Sequence, residues 1–223
     1  MVRDGSDLCI AGVFFFCYNN YMKRFILPLF VFASVITPVN TESFNNIINS
    51  KFHTLDCMAS RRCKDGIKSI NDISDITSSY PDSDFDIIAD EFNRMLATLK
   101  RIGIKVFLGD EKYFPKVYRG VYNTTRNTFY LNKGYMDTPK SLIRTMRHEG
   151  WHAAQDCKAG INNNRLKLLL SEYLVPEYYH NLVEEIYYDE PDQIPFESEA
   201  YFAAYRKDLT QLALDVCALG LSK

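Results

Sequence analysis

The segment RHEGWHAAQD, Arg147–Asp156, holds two of the chain's four histidines one helical turn apart, with a glutamate directly after the first. Positions i and i+4 of a helix share a face, so His148 and His152 project their imidazoles toward one point. Two nitrogen ligands of a zinc ion require that geometry, and Glu149 stands where a general base acting on water at the metal would stand. The helix itself is predicted without the motif. Thr138 reads as an N-cap, Pro139 as the first helical residue and Gly160 as the stop. Gly150 inside it costs about 1 kcal/mol relative to alanine and therefore asks for a close neighbour: a strand, a substrate, or tight packing under the sole tryptophan, Trp151.

Zinc held by two histidines needs a third protein ligand, with the fourth position left for water. The third histidine of the metzincin spacing is missing, because Lys158 occupies its place and Gln155 replaces the glycine of that pattern. Downstream, IPFESEAYFAAY at 194–205 offers Glu197 and Glu199. Ala200 and Ala204 lie at i+3 and i+7 from Glu197, a small face that permits close approach to the histidine helix, whereas Glu199 is followed at i+3 by Phe202. That ranks Glu197 above Glu199 and leaves both open.

With HEGWH, ESEAY and the hairpin sequence GVYNTTRNTFYLN, roughly residues 100–206 resemble the gluzincin-type zinc peptidases. The resemblance implies one zinc per chain held by His148, His152 and Glu197, with Glu197 opening a Glu-x-x-Ala pattern, and Glu149 as the catalytic base. It implies hydrolysis of a peptide or protein substrate, whose extended backbone would pair with the edge of the strand Thr128–Leu131. One position departs from the pattern. Tyr201 stands where many relatives carry Asp or Asn four residues after the ligand glutamate, so the group that orients the histidines is not given by the motif. Tyr201 and His180 are candidate hydrogen-bond donors to a transition state; an isolated histidine such as His180 also reads as structural, and His53 as solvent-exposed. The competing reading is a non-catalytic peptide- or protein-binding module on the same zincin-like scaffold, which has no need of Glu149.

The remaining sequence sets the context. Helix, strands, metal-site helix and further helices succeed one another, which makes the class α+β: a small sheet or hairpin before the HExxH helix and a helical C-terminal part. Helical spacing runs through 84–103, a strand through 104–109, hairpin strands through Val117–Tyr122 and Thr128–Leu131, and helices through Arg165–Tyr173, Pro176–Tyr187 and Pro195–Leu219. Residues 84–223 form the expected zincin-like catalytic domain, preceded by a linker-like, Asn/Ser/Asp-rich stretch at 42–83. Residues 22–41 have the layout of a secretory signal peptide, with 1–21 as an upstream extension before a true start at Met22. The expected product is secreted or periplasmic, with no stable membrane insertion after signal cleavage. Such a chain keeps Cys57, Cys63, Cys157 and Cys217, an even set that suggests two disulfides; three connectivities are open, of which Cys57–Cys63 with Cys157–Cys217 is favoured because the first pair closes a small local loop. A net charge of −2 without long runs of one sign excludes a nucleic-acid surface as an expectation.

Overall fold

A computed structural model describes residues 65–160 and 165–221, and its first elements are the strand β1 (Ile67–Ser69) and the short helix α1 (Ile73–Thr77). Asp72 caps α1 by accepting the Ser74 N–H, and Ile70 and Ile76 are buried in the main core. The packed unit therefore begins ahead of Asp84, and the linker-like reading of 42–83 is corrected over its described part. A polar composition there conceals two isoleucines that the sheet and the next helix cover. The expected signal peptide, the upstream extension and the Cys57–Cys63 pair lie outside the described residues.

Helix α2 (Asp86–Arg101) buries Phe92, Met95, Leu96 and Leu99 on one face, as the spacing predicts, and the chain leaves it through Gly103 at φ 82°. Next come β2 (Lys105–Gly109), β3 (Gly120–Asn123) and β4 (Thr128–Asn132). The four strands form one sheet in the order β1-β2-β4-β3. β4 pairs parallel with β2 and antiparallel with β3, and all five of its residues are buried. One face of the sheet carries Val106, Leu108, Phe129 and Leu131 into the main core with the α2 side chains. On the other, Phe107 stacks on Tyr130 at 5.3 Å between ring centroids, beside Phe114.

Helix α3 (Pro139–Ala159) runs as predicted from the Thr138 cap, whose hydroxyl accepts the Ser141 N–H, to Gly160 at φ 97°. After it come α4 (Glu177–Ile186), α5 (Ile194–Ala204) and α6 (Leu209–Leu221). The fold is thus α+β, with a small four-stranded sheet and a helical C-terminal part. Two expectations are corrected here. The single helix Pro195–Leu219 is broken between α5 and α6, where Asp208 turns at φ 66° and redirects α6 against α3. The segment Arg165–Tyr173 forms no α-helix, only the start of a 3₁₀ turn at Glu172–Leu174: the Leu169 and Leu170 N–H groups donate to the buried Glu199 carboxylate instead of to a helical carbonyl.

Helices α5 and α6 both pack on α3, and each contact has a sequence cause. Trp151 of α3 lies against Ala200 and Ala203, the small face of α5. Gly150 lets α6 approach closely: a Cβ there would sit 3.0 Å from Thr210 Cγ2, so the close neighbour across the packing is this helix and not a strand. Cys157 and Cys217 form a disulfide that joins the end of α3 to α6, in the expected pairing. Arg147, one residue before the motif, is held by both Glu91 oxygens at 2.6 and 2.8 Å, which fixes α3 against α2. No helix among the described residues is long and apolar enough to cross a membrane.

Candidate metal centre

His148 and His152 stand on one face of α3, and Glu197, in the first turn of α5, meets them there. The Nε2 atoms of the two histidines are 3.3 Å apart. His148 Nε2 lies 3.3 Å from Glu197 Oε2, and His152 Nε2 lies 3.3 Å from Glu197 Oε1. One atom from each of the three side chains lies within 4.8 Å of the others, a group able to hold a metal ion. Glu197 Oε2 is buried yet has no partner in hydrogen-bonding geometry, an orphaned acceptor of the kind a cation satisfies. Burial opposes ionisation of Glu197, but the adjoining imidazoles of His152 and His148 overcome it and hold the carboxyl well below the usual range. Burial likewise opposes a charge on His152; Glu197, then Glu149 and Gln155, outweigh it and raise the imidazole to about 9.

Glu199 takes a different part. Its buried carboxylate accepts four N–H groups: Trp151 Nε1 at 3.0 Å, Gln155 Nε2 at 2.9 Å, Leu169 N at 3.0 Å and Leu170 N at 2.7 Å. Gln155 also donates from Nε2 to the Phe196 carbonyl, so its amide oxygen is the atom that faces His152 Nδ1, at 2.8 Å. Nδ1 must then carry a proton, and Nε2 is the nitrogen left for a metal. This chain of contacts orients His152 where the motif left the orienting group open. Tyr201 does not replace it; its ring packs edge-on to His148, 4.9 Å between centroids. Gln155→Met keeps the side-chain volume but removes the acceptor. It should weaken metal binding by about 10- to 100-fold, measured by chelator competition, with the metal-free protein melting near the parent temperature. Glu197→Gln should remove tight binding outright. If Gln155→Met binds metal like the parent, the orienting role is wrong.

Glu149 is buried beside the candidate ligands. Burial raises its pKa; the charges of His148 and His152 oppose the rise, Glu197 adds to it, and the Tyr122 backbone N–H opposes it. That N–H belongs to β3, and β3 is where the expected substrate edge is corrected. Thr128–Leu131 lies within β4, between β2 and β3, so neither of its edges is open. The end strand on this side of the sheet is β3. Asn132 N donates to Arg119 O, and antiparallel alternation then turns the backbone of Gly120 and Tyr122 away from β4. Close approach to the helix demands glycine at 120, because a Cβ would lie 2.8 Å from Glu149 Cγ and 2.7 Å from Thr145 Cγ2.

His148, Glu149, His152 and Glu197 line a cleft of about 750 Å³ bounded by β3, α3, α5 and the segment after α4. Tyr118, Tyr187, Tyr201 and Tyr205 also line it. Burial, reinforced by Glu197, raises the pKa of Tyr187 and of Tyr201, so both hydroxyls are neutral donors. Tyr118 and Tyr187 are not singled out by the sequence, since nothing in a lone tyrosine marks it. His180 lies on α4 outside the cleft lining, with Nε2 buried and unpartnered. His53 is outside the described residues. No family model, curated protein or solved structure matches the chain.

Proposed function

We propose that the chain is a secreted, zinc-dependent peptidase on a zincin-like scaffold. The observation that carries the reading is the convergence of His148 Nε2, His152 Nε2 and the Glu197 carboxylate, the two nitrogens 3.3 Å apart and each 3.3 Å from a different Glu197 oxygen, beside a buried carboxylate, Glu149, outside that ligand group. A tetrahedral site with zinc–ligand bonds of about 2.0–2.1 Å has edges of roughly 3.3–3.4 Å; the two Nε2 atoms have that separation, and the Glu197 carboxylate beside them can supply the third ligand. A closed structural site would need a fourth protein ligand, and among the described residues the group has three.

Zinc, when bound, supplies a Lewis acid that brings the pKa of water toward neutrality and polarises a carbonyl. The protein supplies the rest. Glu149, whose burial shifts its pKa toward the working range of a base, accepts the proton of the attacking water and returns it to the leaving amine. Gly120 and the Tyr122 carbonyl offer main-chain groups to an extended peptide laid along β3, which favours a peptide over a small ester. The neutral hydroxyls of Tyr118, Tyr187 and Tyr201 are available to the carbonyl oxygen as charge builds on it. Secretion is supported by the Cys157–Cys217 disulfide, which an oxidising compartment sustains, and by the signal-like sequence at 22–41.

The purified chain should take up one zinc, read by elemental analysis after dialysis, and His148→Ala should abolish the uptake. The zinc-loaded chain should cleave members of a random peptide library. A folded chain that refuses zinc at micromolar concentration would sink this reading.

A further inference from the structure

One side of the cleft carries two guanidinium groups with no carboxylate to match them. Arg119 immediately precedes β3, and Arg144 stands one turn before His148 on α3; both line the cleft and both are half-buried. Arg119 donates to Ser141 Oγ at 2.9 Å and lies over the Tyr135 ring at 5.1 Å, while its Nε is buried without a partner. Arg144 lies over the Tyr205 ring at 4.3 Å. Tyr205 lines the same cleft as both guanidinium groups, and both charges act on its hydroxyl.

The acidic residues of the cleft do not neutralise them. Glu149 and Glu197 are engaged with the histidines, and Asp189 and Glu190 are exposed. Neither arginine makes an ion pair among the described residues. Half-buried charges are normally paired, and a guanidinium fixed against an aromatic ring presents a preset fork suited to a carboxylate.

We propose that Arg119 and Arg144 form a subsite for a substrate carboxylate, which narrows the peptidase reading, and rests on it, to peptides bearing that group close to the bond that is cut. One helical turn separates Arg144 from His148, about 6 Å along the axis. A peptide residue spans about 3.3 Å, so the carboxylate belongs one or two residues from the cleaved bond. Its source is either a free C terminus or an Asp or Glu side chain.

The test uses the zinc-loaded full chain and short peptides made in matched sets, with a free or amidated C terminus and with Glu or Gln at each position. Carboxylate-bearing members should be cleaved with kcat/KM at least about tenfold higher. A preference confined to the free C terminus assigns end recognition, and one confined to Glu assigns an internal acidic residue; either supports the subsite. In Arg119→Gln and Arg144→Gln the ratio should fall to within about twofold, chiefly through KM, with circular dichroism confirming the fold. Arg144→Lys, which keeps the charge but loses the fork, should give an intermediate ratio and serves if the glutamine variants do not fold. Equal cleavage of acidic and neutral peptides, or a preference that survives both substitutions, overturns the subsite while leaving the peptidase reading intact. Should the parent cleave nothing, anisotropy of fluorescein-labelled peptides on the Glu149→Gln protein decides the subsite alone. A tenfold carboxylate preference that Arg119→Gln removes supports it, and equal binding overturns it.

Discussion

Glu149→Gln should leave zinc uptake nearly intact while peptide hydrolysis falls by about 10²- to 10⁴-fold, the usual worth of a positioned general base. The separation follows from placement. Glu149 is buried next to His148 and His152 but is not one of the three groups that converge on the candidate ion, so an amide in its place removes no ligand. It removes the group positioned there to take a proton and give it back. Burial, which raises its pKa, would otherwise suit it to that exchange near neutral pH. Zinc content by elemental analysis and turnover of a peptide found in the library screen, measured on one preparation, check both halves. Turnover equal to the parent would overthrow the proposed mechanism. Loss of zinc with loss of turnover would mean that Glu149 is part of the ligand set.

The second large effect concerns the scaffold. Replacing Cys157 and Cys217 together by alanine should cost about 4 kcal/mol of stability, the chain-entropy value for a cross-link closing a loop of this size, given a sequence separation of 60. That is about a thousandfold in the ratio of folded to unfolded chain, a large share of a typical domain's margin. The closed loop contains α4 and α5, and hence Glu197, the one candidate ligand not carried by α3. Urea unfolding of the double variant against the oxidised parent measures the difference. A loss below about 1 kcal/mol would show that the packing of α6 on α3 around Gly150 closes the loop without the bond's help.

Much of α3 is legible in the sequence, because caps and helix periodicity act within a few residues. Thr138, Pro139 and Gly160 bound the helix where the structure has it, and i, i+4 spacing puts His148 and His152 on one face. The preference for Glu197 over Glu199 rests on Ala200 and Ala204; of these only Ala200 lies against Trp151, and it does so with Ala203, which shares a face with Glu199. The role of Glu199 is not legible. Its partners are Trp151 and Gln155, more than forty residues away, together with two backbone amides of a segment whose Leu-rich sequence reads as a helix. A buried carboxylate that needs donors overrides that local preference, because leaving its oxygens unpaired would cost more than a short helix contributes.

Strand order escapes the sequence for a related reason. Val117–Tyr122 and Thr128–Leu131 announce a hairpin, yet which of the two is flanked on its far side depends on β2, whose pairing with β4 is non-local. Local pattern was sufficient for the histidine helix, for the two imidazoles on its face and the glutamate between them, and for the α+β class. It was insufficient for the open edge at β3, for the orientation of His152 by Gln155 and Glu199, and for the meeting of Arg119 and Arg144 in one cleft. Those outcomes depend on which elements pack together, and packing selects among contacts distant in sequence that no local pattern encodes.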